Sequence, residues 1–313
     1  MVTCIMYDAS LKDQWDSFVD DCKTPLFFFK RDFLEYHADR FIDSSLMFYE
    51  DDALVAILPA TKLNDQLVSH GGITYGGFLY SAKLRAATLR SVFEVFRDWA
   101  SAAGFRKAIY KAIPPIFHAQ PAQEDLYFIH NALGGTVYRR DLSSVIYLKD
   151  RLKLSKGRKW LIARAKKLGL EVSVSKDWSR FHDLLTDVLV KHGAEPVHSI
   201  DELKLLASRF GNNIELKAVD KDGVMIAAAL LFKFNNVVHS QYLATSELGK
   251  ETGALDYLIE EVIQDTKASG YEFFSFGIST ENQGRTLNDG LLQQKESFGA
   301  RGMVIDFYGI DIE

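Results

Sequence analysis

The sequence predicts two tandem α+β domains, each built on a mixed sheet flanked by helices. The 313 residues suit one large domain or two of ordinary size. The order of predicted elements repeats, and three pairs of equivalent landmarks lie at similar intervals: Trp178 follows Trp15 by 163 residues, Asp222 follows Asp52 by 170, and Gly270 follows Gly104 by 166. This nearly constant offset favours a duplication over two unrelated α+β domains, which are the alternative.

The composition is that of a packed globular protein. Hydrophobic residues make up 47% of the chain and charged residues 25%, which excludes wholesale disorder. The formal net charge of −5 disfavours DNA or an anionic membrane as the main partner. Cys4 and Cys22 are too few for a disulfide framework or a structural zinc site. With no apolar run of about 20 residues, and with acidic Asp8 and Asp13 near the start, we expect a soluble, cytoplasmic protein.

The first half has the order helix, helix, strand meander, loop, helix, strand. Apolar residues at spacings of three and four, from Leu89 to Trp99, predict a long amphipathic helix that ends at Gly104. The predicted elements are helices around Trp15 and over 32–41, strands over 46–50 and 53–59, the helix before Gly104, and a strand over 107–113.

The second half repeats this order with one more strand. Its long helix begins near Leu255, has apolar residues at helical spacing and stops before Gly270. The predicted elements are helices around Trp178 and over 200–210, strands over 214–219, 224–234 and 237–244, the helix before Gly270, and a strand over 271–276.

A run of positive charge marks the predicted boundary, which divides the chain into domains 1–148 and 149–313. Nine basic residues and one acid, Asp150, lie between Lys149 and Lys167. One interpretation is a solvated helix with a single apolar edge. The other is a positive wall beside a phosphate-bearing substrate.

A glycine-rich loop over 69–77 is the first candidate site. Its four glycines permit positive φ and let a ligand approach the backbone closely. We therefore expect Thr74, Tyr75 and Gly76 to bind substrate, although a tight structural turn would also use glycine. His70 titrates near neutral pH and is a candidate proton acceptor.

A second loop, over 247–254, runs into a helix. Free N–H groups at a helix N-terminus, with its partial positive charge, favour a pyrophosphate or another anion. The residues assigned to donor binding are Gly249, Lys250, Gly253 and Ala254.

A third segment, over 276–290, follows the carboxyl end of a predicted strand, where open α/β sheets bind ligands. Its density of polar side chains exceeds what a purely structural loop needs. The residues assigned to substrate binding are Ser279, Thr280, Glu281, Arg285 and Asn288.

Other motifs are less informative. His192 and His198 lie in a predicted turn, where they either line a cleft or serve as structural residues. The eight histidines show no metal-binding spacing, so no metal site is expected. The absence of a nucleophile elbow, a P-loop and a dinucleotide fingerprint disfavours hydrolases, P-loop enzymes and dinucleotide oxidoreductases.

The element order of each half is similar to that of an acyl-CoA N-acyltransferase (GNAT-like) domain. The duplication, the basic segment 158–167 and the run Gln-Lys-Glu-Ser-Phe-Gly at 294–299 resemble FemAB-type transferases over nearly the whole chain. The corresponding Fem pattern, Phe-Lys-x-x-Phe-Gly, has its lysine in the catalytic channel, so the resemblance implies that Lys295 is catalytic. It also implies an acceptor at the loop containing His70, and phosphate binding by Arg31.

Two departures from these families concern the donor. The chain lacks room for the long helical arm of many Fem enzymes, and Lys250-x-x-Gly253 matches the GNAT pyrophosphate signature only loosely. We expect an N-acyltransferase (EC 2.3 type) that moves an acyl group from acyl-CoA, bound by the second domain, to an amine. The expected acceptor, bound by the first domain, is a nucleotide-linked amino sugar in bacterial cell-surface polysaccharide synthesis. No permanent cofactor is expected.

Two alternatives stay open at this point. One is an aminoacyl-tRNA-dependent peptidoglycan-bridge aminoacyltransferase, which would make tRNA a partner. The other is a catalytically inactive module that binds a nucleotide sugar. The sequence leaves the acceptor, the acyl group and the oligomeric state undetermined.

Overall fold

The computed structural model describes residues 1–191 and 193–312, so His192 lies outside the described residues. The chain forms two compact units, each discontinuous in sequence. Unit 1 contains Met1–Asp141, Glu281–Thr286 and the residues from Val304 on, and unit 2 contains Leu142–Thr280 and Leu287–Met303. This differs from the predicted contiguous domains, 1–148 and 149–313, because most of the last strand belongs to unit 1.

Unit 1 combines short strands with one long helix, whose predicted apolar stripe is buried at Leu89, Val92, Phe93 and Phe96. The elements of the first part of the chain are β1 (Val2–Met6), α1 (Lys12–Asp21), α2 (Arg31–Leu34), β2 (Ile42–Asp43), β3 (Leu46–Glu50), β4 (Ala53–Leu58), β5 (Thr61–Leu63), β6 (Gln66–Val68), β7 (Leu79–Tyr80), α3 (Ala86–Ala102), β8 (Lys107–Lys111), α4 (Glu124–Asn131) and β9 (Thr136–Tyr147). The second predicted helix is thus shorter than 32–41.

The remaining elements begin with a basic helix. They are α5 (Lys156–Lys167), β10 (Val172–Ser175), α6 (Trp178–Val190), α7 (Ile200–Arg209), β11 (Ile214–Lys221), β12 (Val224–Lys233), β13 (Val237–Thr245), α8 (Glu247–Thr252), α9 (Ala254–Ala268), β14 (Phe273–Ile278), β15 (Thr280–Glu281), β16 (Thr286–Leu287), α10 (Asp289–Ser297) and β17 (Arg301–Asp311). None of the helices in the described part of the chain combines the length and the apolar character needed to cross a bilayer.

Two sheets make up unit 1. The strands β1, β3, β4 and β7 form an antiparallel sheet in that order. In the other sheet, β8 pairs antiparallel with β17 at residues 307–311 and parallel with β6, and β6 is followed by β5 and β2. This second sheet is mixed, as predicted.

Unit 2 has one sheet in the order β10-β11-β12-β13-β14, and β14 pairs in turn with residues 143–147 of β9. Neighbouring strands are antiparallel except for the parallel pair β13–β14. Helix α9 buries Leu258, Ile259, Val262 and Ile263 in the core. The predicted class, α+β with mixed sheets flanked by helices, is therefore confirmed.

Charge holds α5 and its flanking residues against α9. Arg151 pairs with Glu260 at 2.8 Å, Lys166 pairs with Glu261 at 2.9 Å, and Arg158 pairs with Asp256. Three of the nine basic residues predicted to form a positive wall are thus neutralised by acids of α9. The six others are Lys149, Lys153, Lys156, Lys159, Arg164 and Lys167.

Two glycines permit the close packing around α8. A Cβ on Gly249 would lie 2.2 Å from the carbonyl oxygen of Ile226, and one on Gly253 would lie 2.5 Å from that of Leu161. Gly253 also has φ of +75°, which disfavours other residues. The predicted open loop is therefore mostly the helical turn α8, capped by Ser246, whose Oγ accepts from the amide of Gly249.

Replacing Gly249 with Ala should destabilise unit 2 by about 1–3 kcal/mol, because the new methyl group would overlap a backbone oxygen. Gly157→Ala in α5 is the matched control, since a Cβ there meets no atom within 4 Å and Ala favours a helix by about 0.5–1 kcal/mol. Urea unfolding checks both variants. Equal midpoints for Gly249→Ala and the unchanged protein would contradict the packing argument.

Candidate active site

The parallel strands β13 and β14 separate part-way along their length. They pair at Val237–Phe273, Val238–Phe274 and His239–Ser275, and among the described residues no further pair joins them, although both strands continue. We call this region the β13–β14 fork and define it by His239, Ser275, Gly277, Ile278 and Lys295. Separation of two neighbouring strands opens a sheet to a ligand without breaking its core.

Lys295 of α10 is bound at the end of β14. Its side chain is only 6% exposed, and its Nζ donates to the carbonyl oxygens of Gly277 at 3.0 Å and Ile278 at 2.6 Å. Burial lowers the pKa of Lys295 to about 8. An ammonium group has three N–H donors, so one remains for a ligand. This residue was assigned a catalytic role from the sequence, and the role stays a prediction.

His239 is a fork residue that the sequence did not single out. Its Nδ1 lies 3.1 Å from Ser275 Oγ. Burial, and then the positive charge of Lys295, lower the pKa of His239 to about 4, so the imidazole is neutral at pH 7. Gly277 has φ of +73°, and a Cβ there would lie 3.2 Å from His239 Cε1. The only available signal was a histidine within an apolar predicted strand.

Two buried hydroxyls lie on the other side of β14. Ser279 is 1% exposed and Ser144 is fully buried, and neither Oγ has a hydrogen-bond partner among the described residues. Ser144 stands opposite Gly277 in the β9–β14 register, and the Ser279 amide donates to the Leu142 carbonyl. Because a buried hydroxyl without a partner is unfavourable, these two are available to a polar group.

The other assigned residues of 276–290 are more peripheral. Thr280 is half-buried, whereas Glu281 and Arg285 are exposed. Asn288 caps α10, since its Oδ1 accepts from the Leu291 amide at 2.9 Å. A capping role explains Asn288 without a ligand, and the substrate-binding role of the other three stays a prediction.

The donor-binding assignment divides in the same way. Gly249 and Gly253 are explained by packing, and Lys250 Nζ lies 3.0 Å from Glu247 on the surface. Ala254 begins α9, whose first-turn amides have no acceptor within the helix and lie at its positive end. Ala254 itself is fully buried, and its donor-binding role stays a prediction.

In unit 1 the glycine-rich loop is folded into the core. Tyr75 is buried between Phe28 and Phe117, with ring centroids at 5.9 and 4.8 Å. The Gly76 amide donates to the Lys111 carbonyl at 2.9 Å. Thr74 alone of the three assigned residues is exposed.

His70 is also enclosed in unit 1. It is 2% exposed and its Nδ1 accepts from the Gly72 amide at 3.3 Å. Burial first, and then the charges of His37, Lys111 and Arg31, lower its pKa well below 6.5. The proton-acceptor role assigned to His70 stays a prediction, but in this conformation the ring is sealed from solvent.

Arg31 occupies a structural position in unit 1. Its guanidinium is 1% exposed, stacks 3.7 Å from the Tyr7 ring centroid and binds Glu35 at 2.8 Å and Asp43. A cation enclosed by two carboxylates and an aromatic ring is not presented to a phosphate. His198 is likewise structural, since its Nδ1 lies 2.8 Å from Tyr242 Oη.

A groove of about 660 Å³ lies elsewhere on unit 2, beside the C-terminal end of α9. Its two lysines are neutralised, Lys217 by Asp265 and Lys233 by Glu215. Among the described residues, its carboxylates Glu215 and Asp265 are paired with these lysines, and none of the buried side chains without a hydrogen-bond partner lines it. The residues of the fork therefore make it the better candidate for the active site, despite the volume of this groove.

Solved structures share this fold. FemX has a TM-score of 0.70 at 10% identity, covering 99% of this chain and 97% of its own. L-PGS from Bacillus licheniformis scores 0.61 at 14% identity, covering 98% and 92%. A tandem GNAT protein from the clavulanic acid biosynthesis pathway scores 0.53 at 9% identity, covering 100% and 99%. Among curated proteins, none matches the chain in sequence.

Residues 149–283 match the family model described as an acetyltransferase (GNAT) domain. The chain carries a GNAT domain in a FemX-like fold. The predicted resemblance is thereby confirmed, and the protein is an acyltransferase. The GNAT domain includes β13, α9 and β14, so the separation of the two strands belongs to it. Lys295 lies beyond the matched residues, on helix α10.

Proposed function

We propose that this GNAT protein transfers an acyl group from acyl-CoA, bound in unit 2, to a primary amine. The observation that carries the proposal is the β13–β14 fork, with Lys295 and His239 beside it. Unit 1 has a comparable parallel pair, β6–β8, but its own loop covers the end of that pair through the Gly76–Lys111 hydrogen bond. Among the described residues, no loop amide bonds across the end of the β13–β14 pair in this way, so the fork is the better place for a donor.

In the proposed reaction the amine nitrogen attacks the thioester carbonyl of the donor. A C–N bond forms, the C–S bond breaks, and the thiolate of CoA leaves. The third N–H of Lys295 donates to the developing oxyanion. The neutral imidazole of His239 accepts a hydrogen bond from the amine and orients it, and the amine proton passes to the leaving thiolate. Every proton and electron pair is thus accounted for without a permanent cofactor.

The acceptor is proposed from the FemAB resemblance alone. We infer an amino sugar linked to a nucleotide, consumed in cell-surface polysaccharide synthesis. Acyl-CoA serves as a co-substrate of GNAT proteins, which would place the reaction in the cytoplasm. The other candidate acceptors are primary amines of any class, and a panel of them is required in the assay.

Replacing Lys295 with Ala should lower kcat about 100-fold with little change in the KM for acyl-CoA, because the lost donor acts on the oxyanion. The ammonium is charged below its pKa of about 8, so the rate of the unchanged protein should fall as pH rises through 8. Lys295→Arg keeps a cation that does not titrate in this range and should lack that fall. CoA release with the amine panel provides the measurement.

Lys267→Ala, an exposed lysine of α9, is the matched control and should keep full activity. A folded Lys295→Ala protein with an unchanged rate would exclude the oxyanion role. A rate fall above pH 8 that persists in Lys295→Arg would assign the titration to another group.

Acetyl-CoA should raise the melting temperature of the protein at micromolar concentration, whereas aminoacyl-tRNA should not. A ligand that binds only the folded state stabilises it in proportion to the logarithm of its concentration over Kd. Differential scanning fluorimetry with the two donors, and with CoA as a further ligand, checks this. Stabilisation by aminoacyl-tRNA alone would overturn acyl-CoA as the donor. Nucleotide-sugar binding without any product would favour an inactive module.

A further inference from the structure

Helix α5 has two different faces. Its inner face, with Arg158, Ile162 and Ala165, packs against α9. The opposite face is exposed along the whole helix. We call it the α5 outer face, and it consists of Lys156, Lys159, Trp160, Arg164 and Lys167. Lys156, Trp160, Arg164 and Lys167 follow one another at spacings of four, four and three, and Lys159 lies three residues after Lys156, which places all five on one side of a helix.

The cations of the α5 outer face are not used inside the protein. Among residues 1–191 and 193–312, no ion pair joins any of its four basic side chains to an acid, whereas the three basic residues that face α9 are all paired. Arg164 instead lies over the ring of Trp160, 5.4 Å from its centroid. Exposed Lys149 and Lys153 precede the helix and extend the same charge.

Apolar side chains are exposed on α5 and next to it in sequence. Trp160 is 60% exposed, and Leu152 and Leu168, just before and after α5, are 46% and 48% exposed. Trp160 is not part of the hydrophobic core cluster of unit 2, and exposed apolar side chains close in sequence to lysines suit a partner that is both anionic and apolar.

We propose that the α5 outer face binds the surface of an anionic lipid bilayer. Lysine and arginine are attracted to acidic headgroups, and tryptophan prefers the boundary between headgroups and acyl chains. A nucleic acid would also attract the cations and stack on Trp160, but it offers nothing to Leu152 and Leu168. The aliphatic pair is what favours lipid.

The negative net charge of the chain is compatible with binding of the α5 outer face to an anionic bilayer. The net charge of −5 disfavours a membrane partner only where that charge is spread evenly over the surface. Nine basic residues and one acid lie within 149–167, so the rest of the chain is more acidic than the total. An anionic bilayer would repel that remainder and attract α5, so the protein would bind in one orientation, peripherally and reversibly.

Sedimentation of the full chain with large vesicles tests the proposal. Binding to phosphatidylcholine vesicles containing 30% phosphatidylglycerol should be at least 10-fold tighter than to pure phosphatidylcholine. It should weaken at least 10-fold between 50 and 300 mM NaCl, because exposed charges are screened. The triple variant Lys156→Glu, Lys159→Glu, Lys167→Glu should lose at least 10-fold, since each cation contributes about five-fold. Trp160→Ser should lose binding at constant charge.

The triple variant Lys83→Glu, Lys204→Glu, Lys267→Glu has the same net charge and changes exposed lysines elsewhere, so it should bind nearly as the unchanged protein does. Circular dichroism shows whether each variant is folded. No binding to the anionic vesicles at 50 mM NaCl, or equal losses in both triple variants, would overturn the proposal. So would vesicle binding unaffected by Trp160→Ser, or α5-dependent binding of bulk tRNA without binding of vesicles. Acyl transfer is not read in this experiment, so its failure leaves the proposed function standing.

Discussion

The site in unit 2 depends on the separation of β13 and β14 after the His239–Ser275 pair. Where two parallel strands part, the main chain of one loses its neighbour, and its polar groups need other partners. Lys295 supplies a partner to two successive carbonyls of β14. The same hydrogen bonds attach α10 to the sheet and hold the ammonium where burial lowers its pKa to about 8. The separation of the strands, the position of α10 and the lowered pKa of Lys295 therefore all depend on the same two hydrogen bonds.

The two units contain similar elements, but they differ in how the parallel strand pair is covered. Each has a parallel strand pair and a buried lysine: Lys111 in unit 1, whose Nζ binds the Ile73 carbonyl, and Lys295 in unit 2. In unit 1, the glycine-rich loop packs over the strand ends and buries Tyr75. In unit 2, the region after β13 winds into α8 and α9 instead. Of these two parallel pairs, β13–β14 is the one whose end no loop bond covers among the described residues.

The sequence was sufficient for the class of fold, because periodicity reports which face of an element is buried. Helix α3 follows its apolar spacing from Leu89 to Phe96. Lys295 was identified through a short motif. By contrast, Gly72 and Gly249 have no local signal for their role. Each leaves room for a group distant in sequence, such as His37 or the Ile226 carbonyl, and such contacts exist only after folding.

The other differences between the predicted and the observed environments of site residues also arise from contacts that exist only after folding. The burial of Arg31 follows from ion pairs with Glu35 and Asp43, and the second of these is 12 residues away. In the sequence, His239 does not differ from other polar residues of a predicted strand. Its position beside Lys295 is known only from the fold. Some basic residues of α5 pair with acids of α9 and others face solvent. Which residues do so likewise depends on the side of α5 that packs against helix α9. The number of charged residues in a segment predicts neither which of them form ion pairs nor which of them are exposed.

Hydrogen–deuterium exchange with and without acetyl-CoA tests the central claim most directly. We expect slower exchange on donor binding in the second half of β13 and around Gly277 and Ile278, which belong to the fork, and at the start of α9, where Ala254 is assigned to donor binding. Exchange over 69–77 in unit 1 should be unchanged. Protection confined to 69–77, or none around the fork at saturating acetyl-CoA, would contradict the account.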